Sequence, residues 1–190
     1  MAAEQAPACD RSHWLLLPAY WFNELTRADW FSKNDAVDAT LRSRFLPLYE
    51  QLSERDLAAA ELTQQETLAA VLALDQLPRN LFRGTSRAFA TDSKARELVV
   101  EALALGYDQS LGLDERLFFY LPLEHSENIA DQEHCVDLIS ALGDADYTRF
   151  AIAHRQIIAR FGRFPHRNAI LGRRSTPQET AFLAEPGSSF

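Results

Sequence analysis

Apolar residues recur along this chain at intervals of three and four, the spacing of one face of an α-helix. Val37, Leu41, Phe45, Leu48 and Leu52 trace such a stripe, with Asp35 as the expected N-cap and Pro47 expected to kink or shorten the helix. Thr63-Gln64-Gln65-Glu66 is a capping-box pattern, followed by Leu68, Val71, Leu72 and Asp75 before Pro78 intervenes. Thr91 or Asp92 opens a helix through Ala95, Leu98, Val99, Ala102 and Leu103, which Gly106 is placed to end. Asp114 starts a segment through Leu117, Phe118 and Leu121 that meets Pro122. Ser126 or Asn128 starts the next, through Ile129, Val136 and Ile139, stopping at Gly143. Tyr147, Phe150, Ala151, His154, Ile157, Ile158 and Phe161 mark a longer helix ending at Gly162. A second capping box with proline at the first helical position, Thr176-Pro177-Gln178-Glu179, opens the last helix, and Pro186 closes it.

Sustained strand alternation bounded by hairpin turns is missing, so the pattern predicts an all-α chain of seven to nine helices joined by short connectors. Successive amphipathic helices with short loops lie antiparallel to their neighbours. With no clean repeat near 34 residues, the expected architecture is an irregular stack of antiparallel helical hairpins rather than a regular solenoid. One domain over residues 13–190 is expected, preceded by a loose segment over 1–12.

Composition narrows the function classes. The 190 residues carry a formal net charge of -8, which disfavours nucleic-acid partners because phosphate affinity sums cationic contacts. No apolar run reaches a membrane span, and residues 1–12, with Glu4 and Asp10, lack the basic start of a secretory signal; no membrane association and a cytoplasmic location are expected. Cys9 and Cys135 read as reduced thiols, Cys135 within the core. Only Lys33 and Lys94 are lysines; the other basic residues are arginines, whose planar fork suits carboxylates and phosphates. Their distribution is uneven. Between Asp75 and Asp92 stand Arg79, Arg83 and Arg87, and between Asp146 and Glu179 stand Arg149, Arg155, Arg160, Arg163, Arg167, Arg173 and Arg174, with no acidic residue in either window. Such segregation focuses a positive field within an acidic protein.

Both windows hold the same short pattern: Arg79-Asn80-Leu81-Phe82-Arg83-Gly84 after Pro78, and Arg167-Asn168-Ala169-Ile170-Leu171-Gly172 shortly after Pro165. Proline ends a helix, and glycine permits positive φ, so each pattern predicts a turn that projects an Arg and an Asn. A third constellation is Glu124-His125-Ser126-Glu127 with Asp131-Gln132-Glu133-His134. Its Glu127, Asp131 and His134 could face a metal, but helical di-iron sites need Glu-x-x-His pairs from more than one helix, so no metal or cofactor is assigned. His125, flanked by acids, and His166, on a loop, are the acid/base candidates, whereas His154 reads as a buried structural histidine.

Three functions are open on these residues. The leading one is a binding module for a small anionic ligand or acidic peptide. In it Arg79, Arg83, Arg163 and Arg167 hold the anion, Asn80 and Asn168 orient it, and Asp75, Gln76, Glu127 and Asp131 form the rest of the site, the carboxylates fixing the arginine forks. The second is a hydrolase or transferase on a phosphate- or carboxylate-bearing substrate, with His125 or His166 as general acid/base, Glu127 orienting it and the arginines stabilising negative charge. The third is a structural or self-association module in which the same arginines are all satisfied by internal carboxylates.

Four linked stretches carry a family resemblance: Leu74-Asp75-Gln76-Leu77-Pro78-Arg79-Asn80-Leu81-Phe82-Arg83-Gly84, Phe118-Phe119-Tyr120-Leu121-Pro122-Leu123-Glu124-His125-Ser126-Glu127, Ala130-Asp131-Gln132-Glu133 and Arg160-Phe161-Gly162-Arg163-Phe164-Pro165-His166-Arg167-Asn168. With Trp21-Phe22, Trp30-Phe31 and the close Glu185 to Phe190, the chain from about residue 14 onward resembles the bacterial domain of unknown function 924 family. The resemblance implies an all-α fold akin to tetratricopeptide-repeat stacks, and it brings no activity with it.

Overall fold

In a computed structural model, residues 10–188 are described, and among them every regular element is helical. The chain runs through α1 (Arg11–Trp14), α2 (Leu16–Asn23), α3 (Arg27–Phe31), α4 (Asp35–Glu54), α5 (Gln64–Val71), α6 (Leu77–Leu81), α7 (Asp92–Ala104), α8 (Leu113–Glu124), α9 (Ile129–Ser140), α10 (Ala145–Phe161) and α11 (Pro177–Leu183). Because α1 passes into α2 through the helical Leu15, and α5 passes into α6 through a π turn, the described residues form nine continuous rods. The expected loose segment 1–12 falls mostly outside the described residues, as does Cys9. Within it, Asp10 caps α1 by accepting the Ser12 N–H. No helix among the described residues is long and apolar enough to cross a membrane.

Both capping boxes form, Thr63 with Glu66 and Thr176 with Glu179. The α4 cap is Asn34 rather than Asp35: its side-chain oxygen accepts from Ala36 N and Val37 N, which leaves Asp35 in the first turn. The stripe Val37, Leu41, Phe45, Leu48 and Leu52 is buried as its spacing predicts. Expectations drawn from proline alone fare differently. α4 continues through Pro47 to Glu54, the α5–α6 rod continues through Pro78, and α8 continues through Pro122 to Glu124. Burial holds these rods together where one lost backbone hydrogen bond would break an isolated helix.

α8 is the central rod, with every residue from Leu117 to Glu124 buried. α7 and α9 pack on it, α10 packs on α9, and α4 covers the π turn and α6. Phe118 is the hub of the aromatic core. Trp21, Phe22 and Trp30 meet its ring edge-on with centroids 5.5, 5.7 and 5.1 Å away, and Phe31 stacks on it at 6.1 Å. Trp30 Nε1 donates to Trp21 O at 2.9 Å, which fixes the short α3 against α2. A smaller cluster of Ile157, Ile158 and Phe164, with Phe161 and Phe182 against it, seats the C-terminal turn. Cys135 is fully buried, as a core thiol should be.

The Phe118→Ala variant should lose about 3–5 kcal/mol of unfolding free energy, the range for emptying a fully buried aromatic site. Urea denaturation measures this directly, and a loss below about 1 kcal/mol would remove Phe118 from the centre of the core.

Candidate functional site

The site begins with a local defect in a helix. Pro78 has no N–H, so the ladder around it cannot close with ordinary spacing. Leu77 N donates five residues back to Leu72 O, and Leu72 to Gln76 form a π turn between α5 and α6. The Leu74 carbonyl, which a residue other than proline at 78 would serve, accepts Thr91 Oγ1 at 2.5 Å. Single π turns are recurrent markers of functional positions. This one carries Asp75 with no solvent exposure at all, an ionisable group whose burial demands partners.

Those partners surround it. His125 Nδ1 lies 2.8 Å from Asp75 Oδ1, Gln76 Nε2 donates to Oδ2 at 2.6 Å, and Arg79 Nη1 lies 3.4 Å from Oδ1 while donating to the Asp75 carbonyl at 2.6 Å. Burial opposes ionisation of Asp75, but the Arg79 charge and the His125 contact outweigh it and hold the carboxyl below its ordinary range. Burial and Arg79 together lower His125. The dyad is therefore carboxylate and neutral imidazole, with Nδ1–H donating to Asp75.

Arg79 also grips Asp92, the first residue of α7, through Nη1–Oδ1 at 2.8 Å and Nη2–Oδ2 at 3.0 Å. Asp92 Oδ2 receives a second guanidinium, from Arg167 Nη1 at 3.3 Å. The two Arg-Asn turns thus converge on one carboxylate. Phe89 and Phe164 sandwich Arg167, with its Cζ 4.7 and 4.5 Å from their centroids, and Phe89 also reaches Arg79 at 5.7 Å. Burial and the neighbouring Arg79 charge lower Arg167 to about 10, and its Nε is buried without a hydrogen bond.

The two turns share a further logic, because each sends its Asn away from the centre. Asn80 Nδ2 donates to Asp38 of α4 at 2.7 Å, where Arg83 also binds through Nε at 2.7 Å and Nη2 at 3.0 Å. Asn168 Nδ2 donates to Ser175 Oγ at 3.1 Å, close to where Arg163 pairs with Glu179 at 2.6 and 2.8 Å. Gly84 and Gly172 close the turns at φ of 74° and 66°, where a Cβ would be strained. Arg83 and Arg163 consequently anchor the turns to α4 and α11, and only Arg79 and Arg167 meet.

The remaining sequence-selected residues divide in the same way. Glu127 accepts Arg173 Nη1 at 2.6 Å and Nη2 at 2.9 Å and also the Phe164 N–H at 2.8 Å, so it staples the C-terminal turn and does not contact His125. Asp131 accepts Ser126 Oγ at 2.6 Å and Arg96 Nη1 at 3.5 Å, and it touches none of Arg79, Arg83, Arg163 and Arg167. His166 lies in the field of Arg167, His125, Glu127 and Arg79, and burial with the Arg167 charge lowers it to about 4. Among the described residues no group of three or more His, Cys, Asp or Glu side chains could hold a metal ion.

Sequence reasoning did not select Asp92 or Glu124 as site residues. Glu124 ends the buried run of α8. Burial and the Asp75 charge raise it to about 8. His154 Nδ1 is 3.3 Å from Glu124 Oε1 and 2.9 Å from Phe150 O, and burial lowers it to about 3. This contact therefore joins two uncharged groups and is not an ion pair. Two grooves, of ≈ 620 and ≈ 470 Å³, run along α10 past Arg149, Ala153 and Gln156 and reach none of the site residues. The chemistry converges elsewhere, around Asp92.

The fold and this centre define an all-α helical protein built around an internal Asp–Arg–His cluster. The match to the family described as bacterial protein of unknown function (DUF924) spans residues 17–187. The chain belongs to that family. It is also similar to a solved structure of a protein of unknown function, ATU0120 from Agrobacterium tumefaciens, at 39% identity and a TM-score of 0.85, over 92% of this chain and 99% of that one. No curated protein matches the chain.

Replacing Asp92 with Ala leaves two largely buried guanidiniums short of a counter-ion and should cost about 3–5 kcal/mol. Lys33→Ala, which breaks only an exposed pair with Asp35, should change stability by less than about 0.5 kcal/mol. Denaturant unfolding of the two variants side by side checks the contrast. The pH profile is a second test. Below pH 6.5, unfolded His125, His154 and His166 take up protons that the folded forms resist, so acid destabilises the fold. From pH 4.5 to about 8, unfolded Glu124 gives up a proton that the folded form keeps, so rising pH destabilises it. Three histidines against one glutamate place the maximum near pH 6.5. Glu124→Gln should abolish the decline between pH 6.5 and 8 in thermal unfolding, and a decline that survives in this variant belongs to another group.

Proposed function

We propose that the protein is a binding module for a small oxyanion, a carboxylate or phosphate, held by the Arg79–Arg167 pair. One observation carries the reading. Among the described residues, Arg167 is a buried guanidinium that makes a single 3.3 Å contact to a carboxylate it shares with Arg79, and its Nε has no acceptor. A buried donor without a partner is costly, and a fork used at one of its nitrogens has capacity for an external acceptor. The histidines alongside are uncharged, so they can accept protons when negative charge arrives. The small exposure of Arg79 (18%) and Arg167 (8%) favours a small anion over an acidic peptide, which needs an open channel for its backbone.

Inorganic phosphate and succinate, titrated into the full chain, should raise the thermal midpoint with concentration as ligand linkage requires. Arg167→Gln should remove this response while Arg83→Gln, whose side chain is committed to Asp38, should keep it. Affinity should increase between pH 8 and pH 5.5, because a bound anion favours protonated His125 and His166. An equal midpoint response in wild type and Arg167→Gln would sink the proposal, and Arg167→Lys, with circular dichroism as a folding control, guards against a trivial loss.

A further inference from the structure

We propose that the Asp75–His125 pair makes this same centre hydrolytic, with His125 Nε2 as the general base for water attacking a carboxylic ester that carries a separate ionised oxyanion. The inference rests on the anion reading above and adds a reaction to it.

The geometry has three parts. Asp75 is immobilised inside the π turn by Gln76 and Arg79 and accepts the Nδ1–H of His125 at 2.8 Å. This fixes the tautomer, so the lone pair sits on Nε2, and the carboxylate stabilises the imidazolium formed when Nε2 takes a proton. Nε2 makes no hydrogen bond among the described residues and is not one of the buried, unpartnered atoms, and the His125 side chain keeps 14% exposure. The base therefore faces outward. Arg79 then joins base and anion clamp through one side chain, with Nη1 3.4 Å from Asp75 Oδ1 and 2.8 Å from Asp92 Oδ1. A substrate anchored by its oxyanion on Arg79 and Arg167 holds its other end within reach of His125, which is the positional part of catalysis.

The nucleophile is identified by elimination within this cluster. Thr91 Oγ1 is engaged by Leu74 O, Ser126 Oγ donates to Asp131 at 2.6 Å, and Cys135 Sγ, pushed to a high pKa by burial, faces Tyr120 O. Water is left. Its oxygen bonds to the ester carbon as the carbonyl π pair moves onto the carbonyl oxygen, to return when the alcohol leaves, while one of the water protons passes to Nε2. The tetrahedral adduct then breaks its bond to the alcohol oxygen, which takes that proton from the imidazolium. Ester and water become acid and alcohol, His125 returns to its neutral form, and no oxidant or cofactor is consumed. A carboxylic ester fits better than a phosphoester. Asp75 and Asp92 already balance Arg79 and Arg167, so the clamp can hold an oxyanion but lacks the surplus charge that phosphoryl transfer needs.

The test uses the full chain with mono-p-nitrophenyl glutarate, neutral p-nitrophenyl acetate and p-nitrophenyl phosphate. The glutarate half-ester should be hydrolysed at least 10-fold better than the acetate in kcat/KM. His125→Gln should lose about 10²-fold or more in kcat, the low end for a general base. Arg167→Gln should act mainly on KM. Asp75→Asn should lower kcat and also move the rising limb of the pH–rate profile to lower pH, a shift that a scaffolding role would not produce. Diethyl pyrocarbonate should modify His125 in the folded protein, and saturating phosphate should slow that reaction. Turnover unchanged in His125→Gln, an unreactive His125, or no turnover while phosphate still raises the midpoint overturns the hydrolytic assignment and leaves the anion site standing. Hydrolysis that needs His125 but shows no preference for the anionic ester and no phosphate response overturns the anion reading instead. Preferred turnover of p-nitrophenyl phosphate overturns the ester assignment.

Discussion

The carboxylate of Asp92 is where two arginines from distant parts of the chain meet. It stands at the start of α7, takes both nitrogens of Arg79 from the α5–α6 rod, and takes Arg167 from the C-terminal turn 75 residues further on. Exposed pairs such as Lys33–Asp35 or Arg149–Asp146 contribute about 0–1 kcal/mol, because water competes for both partners. Burial changes that balance. Removing an ion from water costs several kcal/mol, which is recovered only when each charge finds an opposite one in good geometry. Arg79, Arg167, Asp75 and Asp92 form a balanced set of two cations and two anions, and no member can leave without stranding the others.

The set can form only because the helix that carries Asp75 and Arg79 is irregular. An ordinary α-helix through residues 64–81 would give Asp75 and Arg79 the same face but a different phase relative to α8. The π turn before Pro78 adds a residue to one turn and so rotates α6 about the rod axis. It also exposes the Leu74 carbonyl to Thr91, the residue at the N-terminal end of α7 that immediately precedes Asp92. One missing N–H thereby couples the geometry of two helices. Pro122 lies at the corresponding place in α8, two residues before Glu124 and three before His125. Both members of the Asp75–His125 pair therefore sit within three residues of an in-helix proline.

Much of this was legible in the sequence, and the boundary of legibility has a physical form. Capping boxes, apolar stripes and the positive-φ glycines of the two turns are local, and each appears where its pattern placed it. The acid-free windows were also visible, and their bounding residues prove informative: Asp75 and Asp92, which delimit the first, bind its Arg79, while Asp146 and Glu179, which delimit the second, bind Arg149 and Arg163. Each window thus has a counter-ion for at least one of its arginines at its edges, while Arg83 and Arg173 find theirs at Asp38 and Glu127. Long-range choices were not legible. Nothing in the spacing says that Asn80 and Arg83 turn to Asp38, that Glu127 takes Arg173, or that Asp75 rather than Glu127 meets His125. The π turn was hidden for a different reason, since proline in a helical pattern reads as a stop unless tertiary burial is known. Glu124 did leave a trace: it follows Leu117–Leu123, a run of seven residues with no charge, so a carboxylate there is drawn into the buried part of the rod.

Within the balanced set the two arginines are not equivalent, and under the proposed anion reading this decides which one an outside anion would engage. Arg79 donates to the Asp75 carbonyl and to both Asp92 oxygens and lies against the Asp75 carboxylate, so its fork is nearly filled. Asp92 is itself held in place, because an anion in the first turn of α7 is stabilised by the unpaired N–H groups there. Arg167 has one 3.3 Å contact, two aromatic faces and an unpaired Nε. Phe89 and Phe164 hold the Arg167 guanidinium by their rings rather than by hydrogen-bond acceptors. Under the proposed anion reading, a competing oxyanion would draw on Arg167 first, at the cost of the weakest contact in the cluster, while Arg79 would continue to hold Asp75 and, through it, the orientation of His125.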